Sequence, residues 1–168
     1  KHLGAPVATT TSAGNAALVK SLGADVRVEK KKDAFEEQLR GYDVVLNSQD
    51  GKTLEKSLHV LRRGGKLISI SGPPDPDFAR QSAAPGIVKL VMRLLSSGVR
   101  HKAQRLGIDY AFLFMQANGD QLRQITRLVE AGAIQPVVDK VFPFESTNEA
   151  MAYVDAGRAR GKVVVKIK

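Results

Sequence analysis

The sequence predicts an α/β fold with a mostly parallel sheet. Three observations lead there. Short apolar runs alternate along the chain with longer stretches of helical periodicity, the pattern of crossover units. The short runs, such as Asp43-Val44-Val45-Leu46-Asn47 and Lys66-Leu67-Ile68-Ser69-Ile70, are rich in β-branched residues and stop at polar or glycine positions. The longer runs begin at capping residues and end near glycine.

Taken in order, Pro6 to Thr10 reads as a strand. Ala13 to Leu22 reads as a helix, with Thr11 or Ser12 as N-cap and Gly23 as its stop. A short strand at Val26–Val28 and a short helix at Asp33–Leu39 follow. The strand Asp43–Asn47 leads to a helix over Leu54–Leu61 that ends near Gly64-Gly65. Lys66–Ile70 is the next strand, broken by Ser71-Gly72-Pro73-Pro74. Residues 86–106 carry Leu, Val and Met at helical spacing, interrupted at Ser96-Ser97-Gly98. Tyr110–Met115 has the look of a buried strand. Leu122, Ile125, Leu128 and Val129 share one face of a helix over Asp120–Ala131. Pro136–Phe142 is a strand with an edge-type proline. Ser146-Thr147-Asn148-Glu149 has capping-box spacing ahead of a helix through Tyr153, and Lys162–Ile167 is the last strand.

Composition narrows the class. The chain has 168 residues, enough for one ordinary core, with 43% apolar and 26% charged residues. It has no cysteine, which excludes disulfides and thiolate metal sites in this stretch and fits a reducing compartment; a cytoplasmic location is expected. Lys1-His2-Leu3-Gly4-Ala5 reads as the end of a helix, so further sequence is expected upstream. The formal charge is +9, which admits nucleic acid, an anionic membrane surface or a phosphate-rich ligand as partner. With 5% aromatics there are few base-stacking platforms, and a nucleic-acid face is disfavoured. The basic, amphipathic stretch 86–106 permits membrane association, but packing against protein is preferred.

The strand ends carry the chemistry. In a dinucleotide-binding sheet, the end of the second strand meets the adenosine ribose, and an acidic residue there selects NAD. Here Val7-Ala8-Thr9-Thr10-Thr11-Ser12-Ala13-Gly14-Asn15 offers hydroxyls and helix N–H groups, which donate to a 2′-phosphate. If the strand has that role, the cofactor is NADP(H); the other reading makes Thr11 or Ser12 a plain N-cap. Asn47-Ser48 and Ser71-Gly72 follow later strands, where ligands bind open parallel sheets, although turns favour the same residues. His2, His59 and His101 lack metal-ligand spacing, so no metal site is expected. Asp75-Pro76-Asp77 reads as a turn rather than an acid–base pair. No nucleophile elbow or Walker loop is present.

Several stretches together resemble the medium-chain dehydrogenases/reductases of the zinc-independent, quinone-oxidoreductase-like branch. They are Val19-Lys20-Ser21-Leu22-Gly23-Ala24-Asp25, Tyr42 to Ser48, and Leu61-Arg62-Arg63-Gly64-Gly65-Lys66-Leu67-Ile68. The tail adds Ala131 to Asp139, Phe142-Pro143-Phe144 and Gly157-Arg158-Ala159-Arg160-Gly161-Lys162-Val163-Val164-Val165. The segment ending in Tyr110-Ala111-Phe112-Leu113-Phe114 is similar to a branch with mitochondrial and bacterial members.

The resemblance implies a Rossmann-type doubly wound parallel sheet lacking its first strand and glycine-rich loop, over residues 1–135. Residues 136–168 would return to a catalytic domain. It implies hydride transfer from NADP(H) to a small-molecule electron acceptor, a quinone or an activated alkene or carbonyl. By position, Ser12 and Asn15, with Thr11 beside them, would face the 2′-phosphate, and Lys30 stands where relatives often carry tyrosine. Asn47 and Ser48 would approach the ribose. Ser71, Gly72, Phe112, Leu113 and Phe114 would line the nicotinamide pocket, and Arg160, Gly161 and Lys162 would reach the cofactor from the tail. A homodimer is expected. No catalytic residue is identified. The alternatives are a zinc-dependent alcohol dehydrogenase, a non-catalytic basic module binding nucleic acid or an acidic partner, and a scaffold.

Overall fold

The computed structural model describes residues 1–29 and 34–168. In chain order the elements begin with β1 (Ala8–Thr11), a 3-10 turn at Ala13–Asn15 running into α1 (Ala16–Ser21), β2 (Val26–Glu29), α2 (Phe35–Gln38) and β3 (Tyr42–Asn47). There follow α3 (Gly51–Ser57), β4 (Leu61–Ser69), α4 (Pro76–Gln81), α5 (Gly86–Leu95), α6 (Ser97–Arg105) and β5 (Asp109–Phe112). The last elements are α7 (Gly119–Glu130), β6 (Val138–Pro143), a 3-10 turn at Phe144–Ser146, α8 (Thr147–Asp155) and β7 (Lys162–Lys166). They divide into two compact units. The larger comprises Ala8–Ser12 and Val26–Gln116; the smaller comprises Lys1–Val7, Ala13–Asp25 and Ala117–Lys168.

In the larger unit every strand pairing is parallel, in two ladders, β2–β1 and β3–β4–β5. Among the described residues no ladder joins β1 to β3. This is the pattern of a doubly wound sheet without its first strand, because that strand separates the two halves. The halves share apolar packing: Val28, Leu39 and Val60 form a buried cluster that Ala8, Tyr42 and Val45 cover. A second cluster holds Leu54, Leu58, Leu61, Leu67, Val99, Ala103, Ile108 and Tyr110. On β3, Val44 and Leu46 share one face of the sheet and remain 55% and 64% exposed.

Local differences from the sequence reading have physical causes. The helix expected to run to Leu61 ends at Ser57, and β4 begins before the glycine pair. Gly64-Gly65 is a bulge inside the strand rather than a helix stop: Tyr42 pairs with Leu61, whereas Val44 pairs with Lys66. Gly64 has φ +78°, and a Cβ on Gly65 would lie 2.8 Å from the Arg62 carbonyl oxygen. Asp75-Pro76-Asp77 is a helix start, not a turn. Asp75 caps α4 by accepting the Phe78 amide at 2.7 Å, and Pro76 occupies the first turn. Strand β5 stops at Phe112, leaving Leu113 to Met115 exposed instead of buried.

The smaller unit pairs β6 with β7 in parallel. Asn118 caps α7, accepting from the Asp120 and Gln121 amides at 3.0 Å. The expected capping box at Ser146 does not form, since Ser146 makes no cap bond and a 3-10 turn leads into α8 instead. The apolar stripe of α7 does not close over a core within this chain: Leu122 and Ile125 are 63% and 49% exposed. Gly161 has a packing role, because a Cβ there would meet the Val137 carbonyl oxygen at 2.5 Å, where the Lys162 amide donates to the same oxygen.

Candidate functional site

The carboxyl ends of β3, β4 and β5 lie side by side in register, Asn47 beside Ser69 and Ser69 beside Phe112. Such a crest is where open parallel sheets receive ligands. It is bound together by short polar contacts. Asn47 is 3% exposed, and its Oδ1 lies 3.4 Å from the Ser69 hydroxyl and 3.3 Å from the Ser71 hydroxyl. The Ser71 hydroxyl donates to the Gln49 carbonyl at 2.5 Å, so its single proton is committed there. Ser69 Oγ accepts the Gly72 amide at 2.8 Å. This hydroxyl is fully buried and fixes the loop that leaves β4.

Gly72 is a position of forced smallness. A Cβ on it would meet Ser69 Oγ at 2.8 Å, the Tyr110 hydroxyl at 2.9 Å and Leu54 Cδ2 at 3.1 Å. Tyr110 donates to the Pro73 carbonyl at 2.7 Å and closes the loop from below. Burial, seconded by the nearby Asp75 carboxylate, pushes its pKa up to about 12. Asp75 does double duty: besides capping α4 it accepts the Phe112 amide at 2.9 Å. Phe78, Phe112 and Phe114 form an aromatic cluster, with centroids 5.1 Å apart for Phe78–Phe112 and 5.7 Å for Phe78–Phe114. Leu113 and Phe114 stay exposed at its outer side.

At the end of β1 the Thr11 and Ser12 hydroxyls make no hydrogen bond among the described residues, and no side chain caps α1. The plain N-cap reading is therefore not realised. Glu29 stands opposite Thr11 in the β1–β2 register, a carboxylate the sequence reading passed over. In the smaller unit the Arg160 guanidinium lies over the turn that opens α1, with Nη2 3.5 Å from where a Gly14 Cβ would be. Asn15 ends that turn, and Lys162 opens β7 on the surface. Lys30 lies outside the described residues.

The structure thus brings Asn47, Ser71, Gly72 and Phe112 to one crest, with Ser48 exposed next to it. Sequence reasoning missed Ser69, Asp75, Phe78 and Tyr110 there. Of these only Asp75 had a local signal, the helix-start pair Asp-Pro. Among the described residues no group of three or more His, Asp or Glu could hold a metal ion, and no helix is long and apolar enough to cross a membrane.

Parallel ladders split about a first-strand position, with polar and glycine-bearing loops at their carboxyl ends, define a Rossmann-type nucleotide-binding fold. The chain belongs to the zinc-binding dehydrogenase family, whose model matches residues 22–165, and so to the medium-chain dehydrogenases/reductases. It is 32% identical to the mitochondrial NAD(P)H oxidoreductase RTN4IP1 of Mus musculus, covering 99% of this chain and 43% of that protein. It is 30% identical to the chloroplastic NADPH-dependent alkenal/one oxidoreductase of Arabidopsis thaliana, over 95% of this chain and 33% of the relative. Among solved structures it resembles the quinone oxidoreductase from Coxiella burnetii, with a TM-score of 0.73 and 22% identity over 97% of this chain and 45% of that one. The chain spans less than half the length of these relatives. The expected cytoplasmic location is overturned, since the RTN4IP1 relatives of mouse, cow, zebrafish and human are all named mitochondrial. A cysteine-free composition fits any reducing compartment and could not distinguish them.

Proposed function

We propose that this chain is the NADP(H)-binding part of a zinc-independent oxidoreductase that reduces a quinone or an activated alkene or carbonyl. The observation that carries the reading is the pair of hydroxyls, Thr11 and Ser12, that make no hydrogen bond among the described residues where the second strand of the fold ends without a carboxylate of its own. Hydroxyls suit a phosphate monoester, so the residues present fit NADP(H) better than NAD(H). Thr11 and Ser12 would hold the 2′-phosphate; Asn15 and Arg160 are retained as sequence-based candidates for contact with the cofactor. Lys30 is retained as a sequence-based candidate. Asn47 and Ser48 would meet the ribose. Ser71, Gly72 and the Phe112-Leu113-Phe114 segment would border the nicotinamide, and Lys162 would approach from the tail.

The cofactor, when bound, supplies the hydride. The chain's own residues give rigidity and exclude water. Ser69 and Tyr110 clamp the Gly72 loop, and the Phe78–Phe112–Phe114 cluster offers an apolar wall. Positioning of this kind is the protein's main contribution in hydride transfer. The names of the alkenal/one and NAD(P)H oxidoreductase relatives support the substrate class. We place the boundary between the nucleotide-binding part and the segment returning to the catalytic domain near residue 135. We also propose a homodimer: among the described residues β5 pairs only with β4, which leaves an edge that a second copy could extend.

The test is a turnover assay on the complete protein with NADPH and a panel of quinones, alkenals and simple alcohols, in the presence and absence of a zinc chelator. Chelator-insensitive NADPH oxidation with a quinone or alkenal is expected. Activity confined to alcohols and abolished by the chelator would favour a zinc alcohol dehydrogenase instead. Light scattering should give twice the protomer mass.

A further inference from the structure

Next to the crest, the larger unit holds a cavity of ≈ 750 Å³ between α4, α5, α6 and the start of β5. Its wall carries Arg80, Lys89, Arg93 and Arg100, with Leu90 and Ile108 as apolar lining. Three carboxylates also line it, and each is already engaged. Asp75 accepts the Phe78 and Phe112 amides, Asp77 pairs with Arg80, and Asp109 pairs with Lys66 at 3.1 Å. Lys89, Arg93 and Arg100 have no ion pair among the described residues. Among the described residues Arg100 Nε has no acceptor.

The lining suggests which ligand. Lys89 and Arg93 are four residues apart and so share a face of α5. Arg100 projects from α6 into the same space. Two guanidinium forks and one ammonium around a half-apolar cavity match the planar, multidentate acceptor geometry of a phosphate group. We infer that this cavity is an anion site for a phosphate monoester or diester, held by Lys89, Arg93 and Arg100. Asp75 and Tyr110 line this cavity and also support the crest, but Lys89, Arg93 and Arg100 are not among the proposed cofactor contacts, so the inference does not depend on the redox reading. The phosphate could be free or the headgroup of an anionic lipid, and the test separates the two.

Backbone-amide NMR of the protein would be recorded during titration with inorganic phosphate, with ionic strength held constant by chloride. Saturable shifts are expected at Ala79, Leu90, Arg100 and Gln104. Arg93→Gln and Arg100→Gln should each weaken the response about tenfold, with amide dispersion retained as proof of folding. In a parallel arm, sedimentation with vesicles of phosphatidylcholine and phosphatidylglycerol is compared with phosphatidylcholine alone. Binding to the anionic vesicles that both variants lose, without a response to free phosphate, would assign the phosphate to a lipid. The inference is overturned if neither probe gives a saturable response, if the response survives both substitutions, or if it maps to the Gly14–Arg160 turn instead.

Discussion

Asp75 and Phe112 lie 37 positions apart, yet the Asp75 carboxylate accepts the Phe112 amide at 2.9 Å while its other oxygen caps α4. One buried side chain thereby ties the helix after β4 to the end of β5 and sets the aromatic wall of the crest. Replacing it by alanine removes a helix cap and leaves a half-buried amide without its acceptor. Asp75→Ala should lose about 2–4 kcal/mol of unfolding free energy, and Asp75→Asn a smaller amount, since one acceptor oxygen remains. Urea denaturation measures both.

Gly72 has neighbours on three sides that a methyl group would strike. Gly72→Ala should destabilise the protein by about 1–3 kcal/mol through overpacking. The displacement passes to Ser69 and Tyr110, so cofactor affinity should fall as well. A variant of wild-type stability and affinity would show that the loop moves freely.

Tyr110 gives a pH signature. Its folded pKa stands at about 12, raised by burial, above the ordinary tyrosine value of about 10. The neutral form is thus favoured by the fold. The stability this contributes is full below about pH 10 and is lost as pH rises through about 12. Ultraviolet difference titration should show the Tyr110 phenol ionising last, after Tyr153, which its hydrogen bond to Asp139 also raises; that last step, together with alkaline unfolding, should be missing in Tyr110→Phe.

Glu29 opposes Thr11 across the β1–β2 ladder. If Thr11 sits by a 2′-phosphate, that carboxylate weakens binding. Glu29→Gln should then raise NADPH affinity about two- to fivefold and leave NADH unchanged. Arg160→Ala should do the reverse, lowering NADPH affinity about tenfold. Calorimetry on the two variants decides both.

The sequence carried the fold well because strand ends and helix periods are local. Asp43–Asn47 and Lys66–Ile70 became β3 and the paired half of β4, and the break at Ser96–Gly98 became the α5–α6 junction. Gly64-Gly65 misled because a bulge and a helix stop ask for the same residue, and only the register shift between the Tyr42–Leu61 and Val44–Lys66 pairs distinguishes them. The crest was half legible. Asn47, Ser71 and Gly72 follow strands and could be read in phase with them. Ser69 and Tyr110 look like ordinary strand residues, and their roles arise from contacts with Gly72 and Pro73 that no local pattern encodes. Thr11 and Ser12 resembled a helix cap that the 3-10 turn does not use.

The most direct test of the whole account is the ratio of NADPH to NADH affinity in the complete protein, by calorimetry at fixed ionic strength. Hydroxyl donors at the end of β1 should make NADPH the tighter ligand by about a hundredfold. Equal affinities, or a preference for NADH, would contradict it.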